Sequence, residues 1–588
     1  MASFQPLRQM SNLWRTSSLV QWSTGVPSPE DLVAIPLYLN PGNIDEAREY
    51  YAGRFNFNGE LHKTEGSSPF DITNASPEWT SDLHGFTWLR HLHQAGSPIA
   101  KSNAQTLVRD WLEKYCNDTT YIAWTVEVTA NRVISWLAHA RLIIENSDQT
   151  FYLNFLQNIA AQTRYLILSV NSAPAGLPRL LAKTAIAYAS LCMQGQSPAN
   201  QKKQIASAAN ALGEELVIQF FADGGHITRN PDMGISAASV LLPLHHLYLQ
   251  RQENPPIQLT NALDRMLPML EFFAHPDGSV AHFNGSGLKN KKLLASVLKA
   301  GGHSGKPPEN AALSGYQKMQ SGRTKIIIDT GNSPNSIYSH RAHAACLSFE
   351  MSSGSNIIIV NCGAPAHHQL KLSQAARSTA AHSTAIINDT STCQFQKNYV
   401  PPSNDSALIS PPISTGIDDV KIHRTSNEQG EQVTASHNGY EKLFGITHQR
   451  IIQLCEGGDI VNGTDQFTEK EAEQNSNRLN TISIRFHLHP NLSTKFINNN
   501  VAVQLTSPNG ESWIFTCIDA RIEIGDSVYF HPESVQSKQI LLSATIETST
   551  EIRWVLEKVV RPDTKINGDN NPHSQPTADD LLDLMSRK

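Results

Sequence analysis

The sequence predicts an α+β protein of at least two domains, an all-helical half followed by an antiparallel β-sandwich. Three observations carry this. Apolar residues recur at helical spacing from about residue 100 to 300, a Gly/Pro-rich stretch follows at 301–308, and short β-rich runs between turn residues fill most of the remainder. A chain of 588 residues also exceeds what one hydrophobic core usually supports.

In the helical half, Ile205, Ala209, Leu212, Leu216 and Phe220 form one apolar stripe. Leu181, Ala185, Tyr188 and Cys192 form a second, and Val133, Trp136, Leu137, Ala140 and Ile143 a third. Further helices are predicted through 107–112, 151–168, 236–249 and 263–273, punctuated by Gly176-Leu177-Pro178 and Asn254-Pro255-Pro256. Periodicity does not choose among a bundle, an α-solenoid and an α/α toroid. Past the 301–308 linker, strands are predicted at 324–329, 343–351, 356–361, 384–388, 448–454, 481–489, 501–505, 512–515, 539–545 and 551–556. Their spacing and Asn/Gly/Asp/Ser turns fit a sandwich. The predicted organisation is an N-terminal extension at 1–40, the helical domain at 41–300, the sandwich at 310–560 and a polar tail at 561–588.

With 40% hydrophobic and 17% charged residues and a formal charge of −6, the chain reads as an ordinary globular protein without the basic stripe of a nucleic-acid binder. No segment approaches the ~18 apolar residues of a membrane span, and the first residues lack an apolar signal-peptide core. The expected location is therefore cytoplasmic, with the periplasm as the alternative, and the oligomeric state is not fixed. Seven scattered cysteines without a CxxC pair read as reduced, buried residues.

The chemistry-bearing residues fall in three clusters. In Asp223-Gly224-Gly225-His226-Ile227-Thr228-Arg229-Asn230-Pro231, a Gly-Gly turn ends a helix and presents His226, Arg229 and Asn230, which can bind a carboxylate and exchange a proton. The stretch 275–285 again follows a helix and holds His275 and His282. The third cluster lies in the sandwich: His340, Arg341 and His343, then Asn361, then Arg377 and His382. Antiparallel pairing of its strands can gather His343, Asn361 and His382 as ligands of a weak zinc site, or of none.

Taken in order, LHGFTWLRHL (83–92), FADGGHITRNP, HPDGSVAHFNG, RAHAACLSFEMSSG, VNCG, RSTAAHST, ASHNGY and IRFHLHP resemble the bacterial heparinase II/III family of polysaccharide lyases along nearly the whole chain. The resemblance implies an α/α toroid joined to a β-sandwich, an acidic polysaccharide such as a glycosaminoglycan held between them, and β-elimination. That reaction needs a cation or hydrogen-bond donors on the uronate carboxylate, a base for the C5 proton and an acid for the leaving oxygen. Carried over, His226 takes the first catalytic position and His282 stands nearest the family tyrosine, which is missing from 275–287. Arg341, preceded by His340, holds the sandwich histidine position. Arg229 and Arg341 would neutralise the carboxylate, with Asn230 beside them, while Trp88, Arg90 and Arg377 are further substrate-binding candidates. His343, Asn361 and His382 match the metal positions, with Asn in place of Asp. Two other readings stay open: a catalytically silent glycan- or partner-binding protein, and a hydrolase.

Overall fold

The computed structural model describes residues 29–559 apart from 119–121, 196, 288–290, 303–304, 366–369, 400–409, 470–479, 531–533 and 547–548. The expected tail at 561–588 and most of the N-terminal extension lie outside the described residues.

Several helices start where a capping side chain precedes a proline. Ser76, Ser97, Ser197 and Asn230 each accept a hydrogen bond from a backbone N–H of the first turn, and proline occupies the next position. Proline there fixes φ where no intrahelical donor is needed. The helical domain runs through α1 (Ile44–Tyr51), α2 (Pro77–Gly85), α3 (Leu89–Ala95), α4 (Pro98–Tyr115), α5 (Val126–Ala138), α6 (Ala140–Ile144), α7 (Gln149–Ser169), α8 (Leu177–Cys192), α9 (Pro198–Gln219), α10 (Pro231–Gln250), α11 (Ile257–Phe273) and α12 (Lys291–Gly301). The alanine-rich α8 is central and packs on α5, α7, α9 and α10. Small side chains at 182, 185, 187 and 189 are fully buried there, which lets the neighbouring helices come close. Residues of α1 and α12 line one cavity, so the two ends of the helical succession lie on opposite sides of a common space.

Two small sheets interrupt this domain. Pro29–Leu32 pairs with Met193–Gly195, and Arg54–Phe57 forms a hairpin with Glu60–Lys63. The hairpin turn is Asn58-Gly59, both at positive φ, the commonest two-residue hairpin signal.

The sandwich stacks a nine-stranded sheet on an eight-stranded one, with every strand pair antiparallel. Ile446–Cys455 alternates buried and half-buried residues along its length, the mark of a strand with one face in a core. Ile326, Phe349, Met351 and Phe486 of one sheet meet Ile452, Leu454, Phe515 and Trp554 of the other. Gly463 lies flat under Trp554, where a Cβ would stand 2.0 Å from the indole. Arg450 grips Asp465 with two N–H groups, and His448 and Trp554 bond the same carboxylate.

The strand expected at 343–351 is shorter than predicted, spanning only Phe349–Ser353. Residues 340–347 instead form a loop held by tertiary bonds: Ala344 N–H donates to Arg377 O, and Leu347 N–H, at φ +62°, donates to Asp329 O. The alternation of Ala345 and Leu347 is met by burial of the loop, and pairing begins only at Phe349, opposite Ile328.

Candidate functional site

Two loops leave the helical domain toward the sandwich, 220–230 after α9 and 274–287 after α11, each pinched by an isolated antiparallel bridge. In the first, Gly224 at φ +90° passes so close to α11 that a Cβ would lie 2.1 Å from Arg265 O. Asp223 accepts from Ser314 N–H (2.7 Å), Ser314 Oγ–H and Gly225 N–H, tying the loop to the start of the sandwich.

Arg229 is the main strut between the domains. Its Nε–H donates to Ser314 O (2.8 Å) and Nη1 to Asn332 O (2.9 Å) and Gly331 O (3.3 Å). Nη2 donates to Gly315 O (3.0 Å) and to the Asp329 carboxylate. All five guanidinium N–H groups are thus engaged. The guanidinium also stands 4.9 Å from the Tyr316 ring centre, and the Tyr316 hydroxyl donates to Arg229 O (2.6 Å). Asn284 completes the lock, donating to Tyr316 Oη and Asp329 and accepting from His343 N–H. The expectation that Arg229 receives a substrate carboxylate is corrected: the side chain is buried and has no donor left.

His226 points back into its own domain. Its Nδ1 accepts from Thr228, so Nε2 carries the proton donated to Gln219 Oε1 (3.0 Å). Burial lowers its pKa to about 3, which keeps the imidazole neutral. None of its hydrogen bonds reaches residues 340–382. Asn230 is nearer to them: its Nδ2 and Arg341 Cβ each lie 3.4 Å from where a Cβ on Gly285 would be. The Asn230 Oδ1 caps α10, while its buried Nδ2 has no hydrogen-bond partner among the described residues.

His282 stacks on Tyr529 (4.9 Å between ring centres, 23° between planes) in a slot walled by Gly287 and Gly363. Nearby, His275 Nε2 lies 2.9 Å from Glu350 Oε2, and Asn361 N–H donates to Glu350 Oε1 (2.8 Å). Burial pushes the Glu350 carboxyl up, but the His275 hydrogen bond and the adjacent imidazoles bring it below its usual range.

His343 and His382 form a direct pair. His382 Nδ1 donates to Ser378 O (2.8 Å), leaving its Nε2 to accept from His343 Nδ1–H (3.0 Å). Burial lowers His382 to about 4 and holds His343 well below the usual histidine value. Asn361 Oδ1 accepts from Ser383 N–H (2.9 Å), and its Nδ2, fully buried, has no hydrogen-bond partner among the described residues.

The other candidates separate. His340, half-buried, bonds Ser410 O. Arg377 is corrected from substrate binder to loop clasp: it donates to Ala342, Pro411 and Ser339 carbonyls and covers Phe395 at 4.1 Å. Trp88 is largely buried in the helical core, with Nε1–H on Leu83 O, and lines the same cavity as Arg90. Arg90 faces a cavity remote in sequence from all three clusters. Arg341 alone of the interface arginines is exposed and makes no hydrogen bond to a described residue. Crowding by protein atoms lowers its pKa, partly offset by Glu127 and Asp232.

The family model of the heparinase II/III N-terminus matches residues 49–304, and that of the heparinase II/III-like C-terminal region matches 303–555. The chain belongs to the heparinase II/III family. Its fold is that of a solved heparinase III structure (TM-score 0.68, 15% identity, 92% of this chain and 89% of that one). A heparan sulfate lyase HepC mutant from Pedobacter heparinus is also similar (TM-score 0.59, 14% identity, 90% and 84%). FtsZ-localized protein C of Caulobacter vibrioides is 28% identical over 558 residues, 93% of either chain.

Two heparinase features meet altered surroundings here. The tyrosine missing from 275–287 has neighbours that the sequence did not reveal, Tyr316 and Tyr529, which reach the loop from the sandwich. Burial raises both phenols, so neither is disposed to give up a proton. The family zinc does not fit the residues present. His343 and His382 satisfy one another, Asn361 offers no carboxylate, and among the described residues no group of three His, Cys, Asp or Glu side chains is arranged to hold a metal.

Proposed function

We propose that this protein is a non-catalytic binding member of the heparinase II/III family that works with FtsZ. The observation that carries the reading is the engagement of the candidate acid–base groups by the protein itself. Arg229 has all its donors on the sandwich and His226 is neutral and turned inward. β-Elimination needs a free base and a free carboxylate-neutralising donor at one point. Similarity along 93% of both chains to FtsZ-localized protein C supports FtsZ as the partner. Exposed Arg341, beside the orphan Nδ2 of Asn230, supports retained affinity for an acidic saccharide without turnover.

The test is a pull-down of purified FtsZ by the purified full chain, run beside an absorbance assay on acidic polysaccharides. FtsZ is expected to be retained and the ultraviolet absorbance of an unsaturated uronate to stay flat. Loss of FtsZ in the wash would remove the partner, and rising absorbance would restore the lyase.

A further inference from the structure

In the sandwich domain, the small sheet that pairs Gln394–Phe395 with Ile413–Thr415 faces the short helix Glu441–Phe444 across a cavity of about 210 Å³. Its lining brings together the hydroxyl residues Ser391, Thr392 and Thr415, the amide residues Gln394 and Asn438, and one cation, Lys442, and includes no Asp or Glu among the described residues. The volume lies below the ~300 Å³ at which drug-sized sites begin, so a ligand held there is small.

Two of the walls are backbone. A Cβ on Gly416 would stand 2.5 Å from Ser333 Oγ, and one on Gly439 would stand 3.0 Å from Ile417 Cγ1 and 3.1 Å from Thr392 Cβ, so the chain is tightly packed at both glycines. Ser391 Oγ accepts from Thr379 N–H (3.1 Å), which fixes the hydroxyl and leaves its own proton to donate. Asn438 Nδ2 donates to Asp418 Oδ1 (2.6 Å). That hydrogen bond, and after it the Lys442 charge, hold the Asp418 carboxyl below its usual range, yet no ion pair joins Asp418 to Lys442. The side chains of Lys442, Gln394 and Thr415 make no hydrogen bond or ion pair with a described residue. Uncommitted donors around a single cation, with no acid in the lining, suit a tetrahedral oxyanion, which accepts hydrogen bonds from several directions and takes lysine as a point charge. Leu443, 46% exposed in the same lining, offers apolar cover to a short carbon chain.

We propose that this cavity binds a small phosphate monoester. Lys442 balances the phosphoryl charge, the Ser391 and Thr415 hydroxyls and the Gln394 amide donate to its oxygens, and Leu443 covers the ester carbons. The site depends neither on a saccharide nor on FtsZ, since none of its lining residues lies in the loops that carry His226, His282 and Arg341.

The experiment titrates the full chain, at constant ionic strength, with glycerol 3-phosphate, inorganic phosphate and glycerol, following ligand-detected NMR. Glycerol 3-phosphate is expected to bind with a Kd on the order of 1 mM, inorganic phosphate about threefold or more weakly, and glycerol not measurably. Lys442→Gln should weaken the ester about tenfold, Lys442→Arg, which keeps the charge, by less than about threefold, and Thr415→Val by about threefold. Arg341→Gln should leave it unchanged. Absence of glycerol 3-phosphate binding, equal binding of glycerol, or undiminished binding by Lys442→Gln would overturn the site. Inorganic phosphate bound as tightly as the ester would overturn the assignment of an ester, and loss caused by Arg341→Gln instead would move the anion to the interface and overturn the site equally.

Discussion

Arg229 and Asn361 show how one side chain sets what a site can do. Removing Arg229 leaves Asp329 buried without its cation and takes the donor from the Ser314, Gly331 and Asn332 carbonyls, so Arg229→Ala is expected to cost about 3–5 kcal/mol of stability, the usual scale for breaking a buried ion pair. Chemical denaturation measures this, and a change within about 0.5 kcal/mol would contradict the strut. Asn361 offers a complementary gain. Asn361→Asp places a carboxylate beside the His343–His382 pair, so the variant is expected to hold close to one equivalent of zinc by metal analysis, against well under one for the natural chain. Stoichiometric zinc in the natural chain would refute this account. His343, Asn361 and His382 are visible in the sequence as residue types, although the loop that carries His343 is not. The sequence could not show that Arg229 and Arg377 are clasps, since a buried arginine among carbonyls and an open one have the same letter.

At the scale of elements, the helices between about 107 and 273 and many of the strands were legible because helical stripes and alternation are local signals. The loop at 340–347 was not, because tertiary bonds to Arg377 and Asp329 override an alternating pattern. The Asn58-Gly59 hairpin, also a local signal, interrupts the predicted helical domain at 41–300. The contact between loop 220–230 and the sandwich depends on Asp223, which takes three hydrogen bonds. Asp223→Ala is expected to lose about 1.5–3 kcal/mol and to speed amide exchange at Ser314 and Gly225 in particular. Unchanged protection of those two amides would show that the carboxylate does not hold the junction.

Across the whole molecule, neutral imidazoles buried at and behind the interface should make the protein acid-labile. His226 and His487 sit at about 3 and His382 at about 4, each lowered first by burial, against an ordinary value of 6.5. The unfolded chain takes up these protons and the folded one does not, so stability is full above about pH 6.5 and falls as pH drops toward 4. Each histidine contributes up to about 1.4 kcal/mol per pH unit in that window. Urea midpoints at pH 7.5 and pH 5 are expected to differ clearly, with the acid value lower, and equal midpoints would mean that the imidazoles are not held neutral. The helical-plus-sandwich architecture and the heparinase II/III family could be read along the chain, whereas the proposed partner could not, because no residue motif in the sequence points to FtsZ. The central claim is that the heparinase fold here binds without eliminating. It is tested most directly by incubating the purified full chain with heparan sulfate, chondroitin sulfate and alginate while recording ultraviolet absorbance. The account expects a flat trace with all three, equal to the trace of an Arg341→Gln, His282→Gln double variant; a steady rise in the natural chain that this variant abolishes would contradict it.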